Sequence, residues 1–302
     1  MRPNGIDSLS SAQHVENISV PNSTPSGVVH YVIPDSQVKP GVPIDNLRWI
    51  GQYLVDHFAG TKDIKIIHLG DFADFPSLSS FDKKGSKSME GRRYLADIAA
   101  ANKGWALLNL PLKEYNDKRR KNKERTWNPE RHIILGNHCA RVTRATENDA
   151  QLDGVLSLDH LDYEKSGWTV HPFLKPITLD GIVYAHYFAN PMTGRPYGGN
   201  ALARLKTLGH SFTMGHQQTL DIGIRFVNGK QQRGLIAGAG YLHQEEYMGY
   251  QGNLAHWRGI LVCHEVVDGA YDLMEVSLDY LCRRYEGMPV AEFMARGKFT
   301  IA

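Results

Sequence analysis

Cysteine is almost missing from this chain: Cys139, Cys263 and Cys282 are the only three in 302 residues. So sparse and odd a set excludes the disulfide framework of small secreted domains and points to a reducing cytosol. Long apolar runs are missing as well. No stretch approaches the roughly 18 apolar residues of a membrane span, so no membrane partner is expected. The opening stretch, MRPNGIDSLSSAQHVENISVPNSTPSG, lacks the apolar core of a secretory signal. Its two glycosylation sequons, at Asn17 and Asn22, are therefore given no weight. Neither sign of charge prevails, and a formal net charge of +2 argues for neither nucleic acid nor a membrane surface. The expected location is the cytoplasm.

What is present is a globular composition, 42% hydrophobic and 22% charged, in a chain long enough to bury a large core. Residues 1–26, rich in Ser, Asn and Pro, read as a flexible arm, and 27–302 as one domain without internal repeats. Short apolar runs predict strands at Val28–Asp35, Ile64–Asp71, His132–His138, Gly181–Phe188 and Ser211–Gln218. Between them, Leu47, Ile50 and Leu54 predict one helix. Tyr94, Ile98, Ala101, Trp105 and Leu108 predict a longer one, which Pro111 should end. Further on, Asn228-Gly229 and Asp268-Gly269 are hairpin signals. Alternating strands and helices followed by hairpins predict an α/β fold leading into a mixed or second sheet.

The exits of these strands share a chemistry. Four finish on a side chain able to bind a cation, Asp35, Asp71, Asn137 and His216, and His186 lies within the remaining one. In α/β sheets ligands gather at the carboxyl ends of strands, where loops vary while the sheet fixes their roots. One Gly-Asp or Gly-His is background; the same feature on five strands is hard to explain by packing. Spacing adds Gln37 two residues after Asp35, Asp74 three after Asp71, His138 beside Asn137, and Gln218 two after His216.

This ordered set, D-S-Q, G-D-F-A-D, G-N-H, a lone His and G-H-Q-Q, resembles the calcineurin-like metallophosphoesterases over roughly Val28 to Gln218. The resemblance is to the versions carried by bacterial viruses in particular, where an arginine often follows G-N-H as Arg141 does here; the location would then be the host cytoplasm. It implies a four-layer α-β-β-α sandwich of two mixed sheets holding two divalent ions. One site would use Asp35, Gln37, Asp71 and Gln218, the other Asp71, Asn137, His186 and His216, with Asp71 bridging. Gln37 and Gln218 stand where the family carries histidines. All-oxygen donors are harder than imidazole, so the first site should favour Mn²⁺ or Mg²⁺ over Zn²⁺ and bind more weakly than the second. Manganese is the favoured ion, with magnesium or another divalent ion also fitting.

The family mechanism that follows is attack on phosphorus by a hydroxide held between two ions about 3.5–4 Å apart. His138 would protonate the leaving group and Asp74 would orient it. Arg141 and Arg144 are candidates for gripping a substrate phosphate, or else solvent-facing arginines. The expected activity is that of a phosphodiesterase or nuclease acting on DNA, RNA or nucleotides. Alternatives are a phosphomonoesterase or protein Ser/Thr phosphatase, and a catalytically decayed binding protein on the same fold.

Other residues receive plainer readings. His68 reads as a hydrogen-bonded core residue, His210 yields to His216 on strand phase, and His132, His160, His171, His243, His256 and His264 read as structural or surface. Cys139 reads as a packed small side chain, since no acid–base pair is spare to activate it. The basic run Lys113–Arg125 reads as a solvated helix or loop in preference to a phosphate-backbone contact. Residues 223–302 should close the second sheet or shape the pocket.

Overall fold

A computed structural model describes residues 27–302 apart from 84, 246 and 247, so the expected arm over 1–26 lies outside the described residues. The first half of the chain runs β1 (Val28–Ile33), α1 (Asp45–Phe58), β2 (Ile64–His68), α2 (Tyr94–Lys121), β3 (Glu130–Ile134) and α3 (Ala140–Asn148). Then follow β4 (Thr169–His171), β5 (Ile177–Leu179), β6 (Ile182–Ala185), α4 (Ala201–Leu208), β7 (Phe212–Met214), β8 (Leu220–Val227) and β9 (Lys230–Ala237). The chain closes with α5 (Gly249–Leu254), β10 (Gly259–Val267), β11 (Ala270–Ser277), α6 (Leu278–Glu286) and α7 (Val290–Arg296).

These strands form two mixed sheets, one of six strands in the order β11-β10-β1-β2-β3-β4 and one of five in the order β5-β6-β7-β9-β8. β1, β2 and β3 lie parallel at the centre of the first, Val29 opposite Ile64 and Lys65 opposite Glu130. Towards their carboxyl ends they are buried on both faces and read as short apolar runs, Tyr31–Ile33, Ile66–Ile67 and Ile133–Ile134, rather than alternating ones. Parallel pairing brings their carboxyl ends to one edge. β6 and β7 are likewise parallel in the second sheet, Val183 opposite Phe212.

Three cores hold the layers. On one face of the six-stranded sheet, Tyr31, Ile66 and Ile133 pack under Ile50 of α1, Trp105 and Leu108 of α2 and Leu281 of α6. Between the sheets, Val32, Ile67, Ile134 and Leu261 meet Tyr184, Leu235 and Ala237. Beyond the five-stranded sheet, Ala201 and Leu205 of α4 cover Phe212 and Ile236. Both hairpin turns form as two-residue loops with left-handed central residues, Asn228 at φ 50° and Gly229 at 76°, Asp268 at 49° and Gly269 at 83°. Such primed turns match the right-handed twist of the flanking strands.

The structure departs from the sequence expectations in three places. Pro111 does not end its helix: α2 continues to Lys121, with Pro111 itself buried. An internal proline costs about 3 kcal/mol. Burial of Trp105, Leu108 and Leu112 along the same stripe offsets it, at about 1.5–3 kcal/mol for each fully buried side chain. Where α1 crosses, Gly51 has no Cβ, and one there would collide with the Leu108 carbonyl and press on Pro111. Second, the strands are shorter than their apolar runs, so Asp35, Asp71, Asn137, His186 and His216 all lie beyond strand ends, and His186 follows β6 rather than lying within it. Third, β4 and β5 carry no periodic signal in three residues each. No helix among the described residues is long and apolar enough to cross a membrane.

Candidate metal centre

The exits of β1, β2, β3, β6 and β7 converge. Asp71 is the hub. Its Oδ1 accepts the His138 backbone N–H at 2.9 Å, and its Oδ2 lies 3.1 Å from His186 Nε2 and 3.7 Å from His138 Nε2. His186 Nε2 also reaches Asn137 Oδ1 at 2.9 Å, while Nδ1 donates to the Leu69 carbonyl at 2.9 Å. Asp35, fully buried, accepts the His216 backbone N–H at 3.1 Å on both oxygens, and its Oδ1 is 3.9 Å from His186 Nδ1. The His186 and His216 rings stand 5.2 Å apart.

Local sequence makes this convergence sterically feasible. A Cβ at Gly136 would collide with Asp71 Oδ1, and one at Gly215 with Asp35 Oδ1. Gln37, Asp71, His216 and Gln218 all adopt left-handed backbone, at φ 42°, 45°, 70° and 61°. Such conformations cost non-glycine residues on the order of 1–3 kcal/mol each and persist where surrounding structure over-determines them.

Electrostatics mark the cluster as short of positive charge. Burial pushes the Asp35 carboxyl up to about 7, opposed by His186 and reinforced by Asp71. Burial also pushes Asp71 up, but His138 and His186 outweigh it and hold the carboxyl well below its ordinary range. Burial lowers His186, yet Asp71 and Asp35 more than reverse this and raise it to about 9. Burial, reinforced by the neighbouring His186 and only partly opposed by Asp71, takes His216 down to about 4. A proton on His186 Nε2 therefore sits between two acceptor oxygens, Asp71 Oδ2 and Asn137 Oδ1, the setting in which a divalent ion replaces a proton.

Ligand atoms of Asp71, His186 and His216 lie within 4.8 Å of one another, so these three residues can hold a cation. The Gln37 Oε1 atom is buried and, among the described residues, meets no hydrogen-bond partner. An orphaned acceptor beside the cluster fits a cation too, because a buried unpaired oxygen otherwise costs about 1–3 kcal/mol. Its backbone ties it there, Gln37 N–H donating to the Asp71 carbonyl at 2.8 Å. Gln218 differs: its Oε1 already accepts from Tyr241 Oη at 2.9 Å.

His138 stands beside this cluster with its Nδ1 2.6 Å from Asp74 Oδ1. Burial works against its protonated form, but Asp71 and Asp74 prevail and raise its pKa. The Asp74 carboxyl, pushed up by burial, is held well below its ordinary range by His138, Lys39 and Arg141.

The two arginines part company. Arg141 is buried, donating to the Asp74 carbonyl at 2.9 Å and lying 3.2 Å from His138 Nε2, so the solvent-facing alternative fails for it. Arg144 is exposed, with Nη1 3.4 Å from Ser80 Oγ.

Among the other histidines, His68 is a core residue bonded to Ser36 Oγ at 3.0 Å, and burial takes it down to about 3. His210 lies against Phe188, away from the cluster. His243 and His256, read from sequence as structural or surface, touch the site's neighbours: His243 bonds Glu245 at 2.7 Å, and His256 bonds Tyr241 at 2.9 Å. Glu245 in turn grips Lys39, which reaches Asp74. A signal existed for Lys39, two residues beyond Gln37 in the alternation Asp35, Gln37, Lys39, but none for the irregular segment carrying His243 and Glu245. Cys139 is buried and its thiol is pushed up to about 12 by that burial, which keeps it inert.

The basic run occupies the end of α2 and the turn beyond it, where Lys113 and Arg120 pair with Asp117 and Arg119 with Glu124. It immediately precedes the start of β3, the opposite end of the parallel strands from the cluster. Compared with models of known protein families and with curated proteins, the chain matches none.

Proposed function

We propose that this chain is a metal-dependent phosphoesterase of the calcineurin-like kind, resembling the versions carried by bacterial viruses. Its two sheets and outer helices then correspond to the four-layer α-β-β-α sandwich of that family. The observation that carries the reading is the meeting of Asp71, His186 and His216, with Asp35 and Asn137, at the exits of five strands from two sheets. Packing alone gives no reason to bury two carboxylates and two imidazoles together.

Asp71, Asn137, His186 and His216 would hold one divalent ion, and Asp35, Gln37, Asp71 and Gln218 a second. Manganese suits the oxygen-rich second set. When bound, such ions neutralise charge on a phosphate ester and make water a nucleophile at neutral pH. The chain's own residues do the rest. Leu69, by taking the Nδ1 proton of His186, leaves Nε2 facing the cluster. Asp74 holds His138 Nδ1, and Nε2, which accepts from Arg141 Nη2 at 3.2 Å, would take up the proton that it presents to the ester oxygen that leaves. As the phosphorus–oxygen bond breaks, that oxygen keeps the electron pair and takes the proton. Arg141, beside both residues, fixes Asp74 from the other side.

The substrate class is a phosphodiester of nucleic acid or nucleotide. Phosphomonoesters, including phosphoprotein, are the second reading, and one observation favours them: the basic run lies at the far end of the sheet, where it cannot grip a strand entering the cluster. Purified protein with Mn²⁺ is offered nitrophenyl phosphate, bis-nitrophenyl phosphate and labelled DNA. Turnover of the diester and DNA is expected. Turnover of monoesters alone removes the nuclease, and no turnover with less than one bound ion leaves the decayed binding protein.

A further inference from the structure

The carboxylate behind His138 is itself held by a chain of charges. Asp74 gives Oδ1 to His138 and Arg141, and Oδ2 faces Lys39 Nζ at 3.2 Å. Lys39 also donates to both oxygens of Glu245, at 2.9 and 2.8 Å. Glu245 Oε1 takes His243 Nε2 at 2.7 Å. Glu245 is anchored by backbone as well, its N–H donating to Asn253 Oδ1 at 2.8 Å and its carbonyl accepting Asn253 Nδ2 at 2.7 Å. Glu245 and His243 are buried, and the Lys39 side chain is only 21% exposed.

An ammonium group has three hydrogens. Here the Lys39 ammonium lies 2.9 and 2.8 Å from the two oxygens of Glu245 and 3.2 Å from Asp74 Oδ2, so its charge is turned toward two carboxylates of the protein. We propose that Lys39, clamped by Glu245 and His243, is a positioning residue that locks the Asp74 carboxylate in line with His138, so that His138 delivers its proton to poor leaving groups. The arrangement joins three separate stretches of chain: the β1 exit with Lys39, the β2 exit with Asp74, and the segment between β9 and α5 with His243 and Glu245. It assigns a role in the chemistry to Glu245 and His243 of the C-terminal part. The inference rests on the role proposed above for His138.

The test compares two esters of one phosphate, nitrophenyl and phenyl, with Mn²⁺-loaded protein. The nitrophenyl group leaves without a proton; the phenyl group needs one. Lys39→Met is expected to lower kcat on the phenyl ester by roughly 10–100-fold, with KM unchanged and the nitrophenyl ester nearly unaffected. Lys39→Arg should recover most of the loss. Equal losses on both esters, or a rise in KM with kcat intact, overturn the proposal, the second by making Lys39 a substrate grip.

Glu245→Gln keeps the lysine and loosens its clamp. It decides the matter if Lys39→Met does not fold: a smaller loss confined to the phenyl ester supports the proposal, and an unselective one overturns it. Should the wild type cleave neither ester, the proposed activity fails, but the positioning claim is still read from the imidazole N–H resonances of the metal-free protein. The His138 Nδ1–H signal, assigned by its loss in His138→Asn, must shift in Lys39→Met and return in Lys39→Arg. An unmoved signal overturns the claim.

Discussion

His186 and Asp71 approach within 3.1 Å, nitrogen to oxygen, at the junction of two sheets that share no strand. The imidazole comes from the β6 exit and the carboxylate from the β2 exit, and both are buried. Removing either should dismantle the proposed cation site. Asp71→Asn and His186→Ala are expected to weaken Mn²⁺ binding at least 100-fold by calorimetry, on the scale of losing a ligand rather than one of its supports. Stripping the wild type with a chelator should lower its melting temperature, because an ion bound only by the folded state adds stability by mass action. Wild-type affinity in Asp71→Asn would remove the hub from the site.

His138 offers the complementary case. It contacts Asp71, but its Nδ1 lies 2.6 Å from Asp74, the contact on which its proposed role in proton transfer rests. His138→Ala should keep bound metal and lose turnover by on the order of 10²–10⁴-fold. Loss of metal in that variant would reassign His138 as a ligand.

Much of this geometry was legible in the sequence because parallel strands impose it. Once Val28–Ile33, Ile64–His68 and Glu130–Ile134 are parallel neighbours in one sheet, their exits must meet, whatever the intervening helices do. His186 and His216 follow for the same reason in the second sheet. What was not legible lies off that pattern. Pro111 was misread because helix propensity is a local rule, whereas α2 is held by tertiary burial. β4 and β5 are too short to show a period. Glu245 and His243 sit in irregular chain, and nothing local says that they lean on Lys39. Arg141 kept its place beside the turn, but its burial against Asp74 was not readable from spacing alone.

Glycine at 136 makes a sharper demand. Its backbone needs no left-handed angle, yet any side chain there meets Asp71 Oδ1 and the Asp71 backbone nitrogen. Gly136→Ala should therefore displace the hub rather than strain its own turn. The expected result is about 1–3 kcal/mol of destabilisation by denaturant melting, as for overpacking, together with weakened Mn²⁺ binding. Gly60→Ala offers no such collision, so its cost is confined to left-handed backbone at φ 91° and its metal affinity should be unchanged. Equal metal affinity in Gly136→Ala and the wild type would show that the close approach is not needed.

Acid stability should report on a different cluster. His30 on β1 is fully buried, its Nε2 2.8 Å from Asp180 and its Nδ1 2.7 Å from Tyr184 Oη. Burial outweighs Asp180 and lowers the imidazole from 6.5 to about 4, so His30 is neutral in the folded protein at pH 6. In the unfolded chain it titrates near its ordinary value. Between pH 6.5 and 4 the unfolded state therefore binds more protons, and stability falls as pH falls across that window. A difference of about 2.5 pKa units corresponds to about 3 kcal/mol at most, fully lost only below pH 4. His68, lowered to about 3, adds a loss in the same direction. His30→Gln keeps a polar side chain but cannot titrate. Chelator-treated wild type and variant, melted in urea at pH 7, 6, 5 and 4.5, should show stability curves that converge towards low pH, with the variant the flatter. Parallel curves would mean that His30 holds its proton in the folded state, and that the Asp180 contact outweighs burial after all.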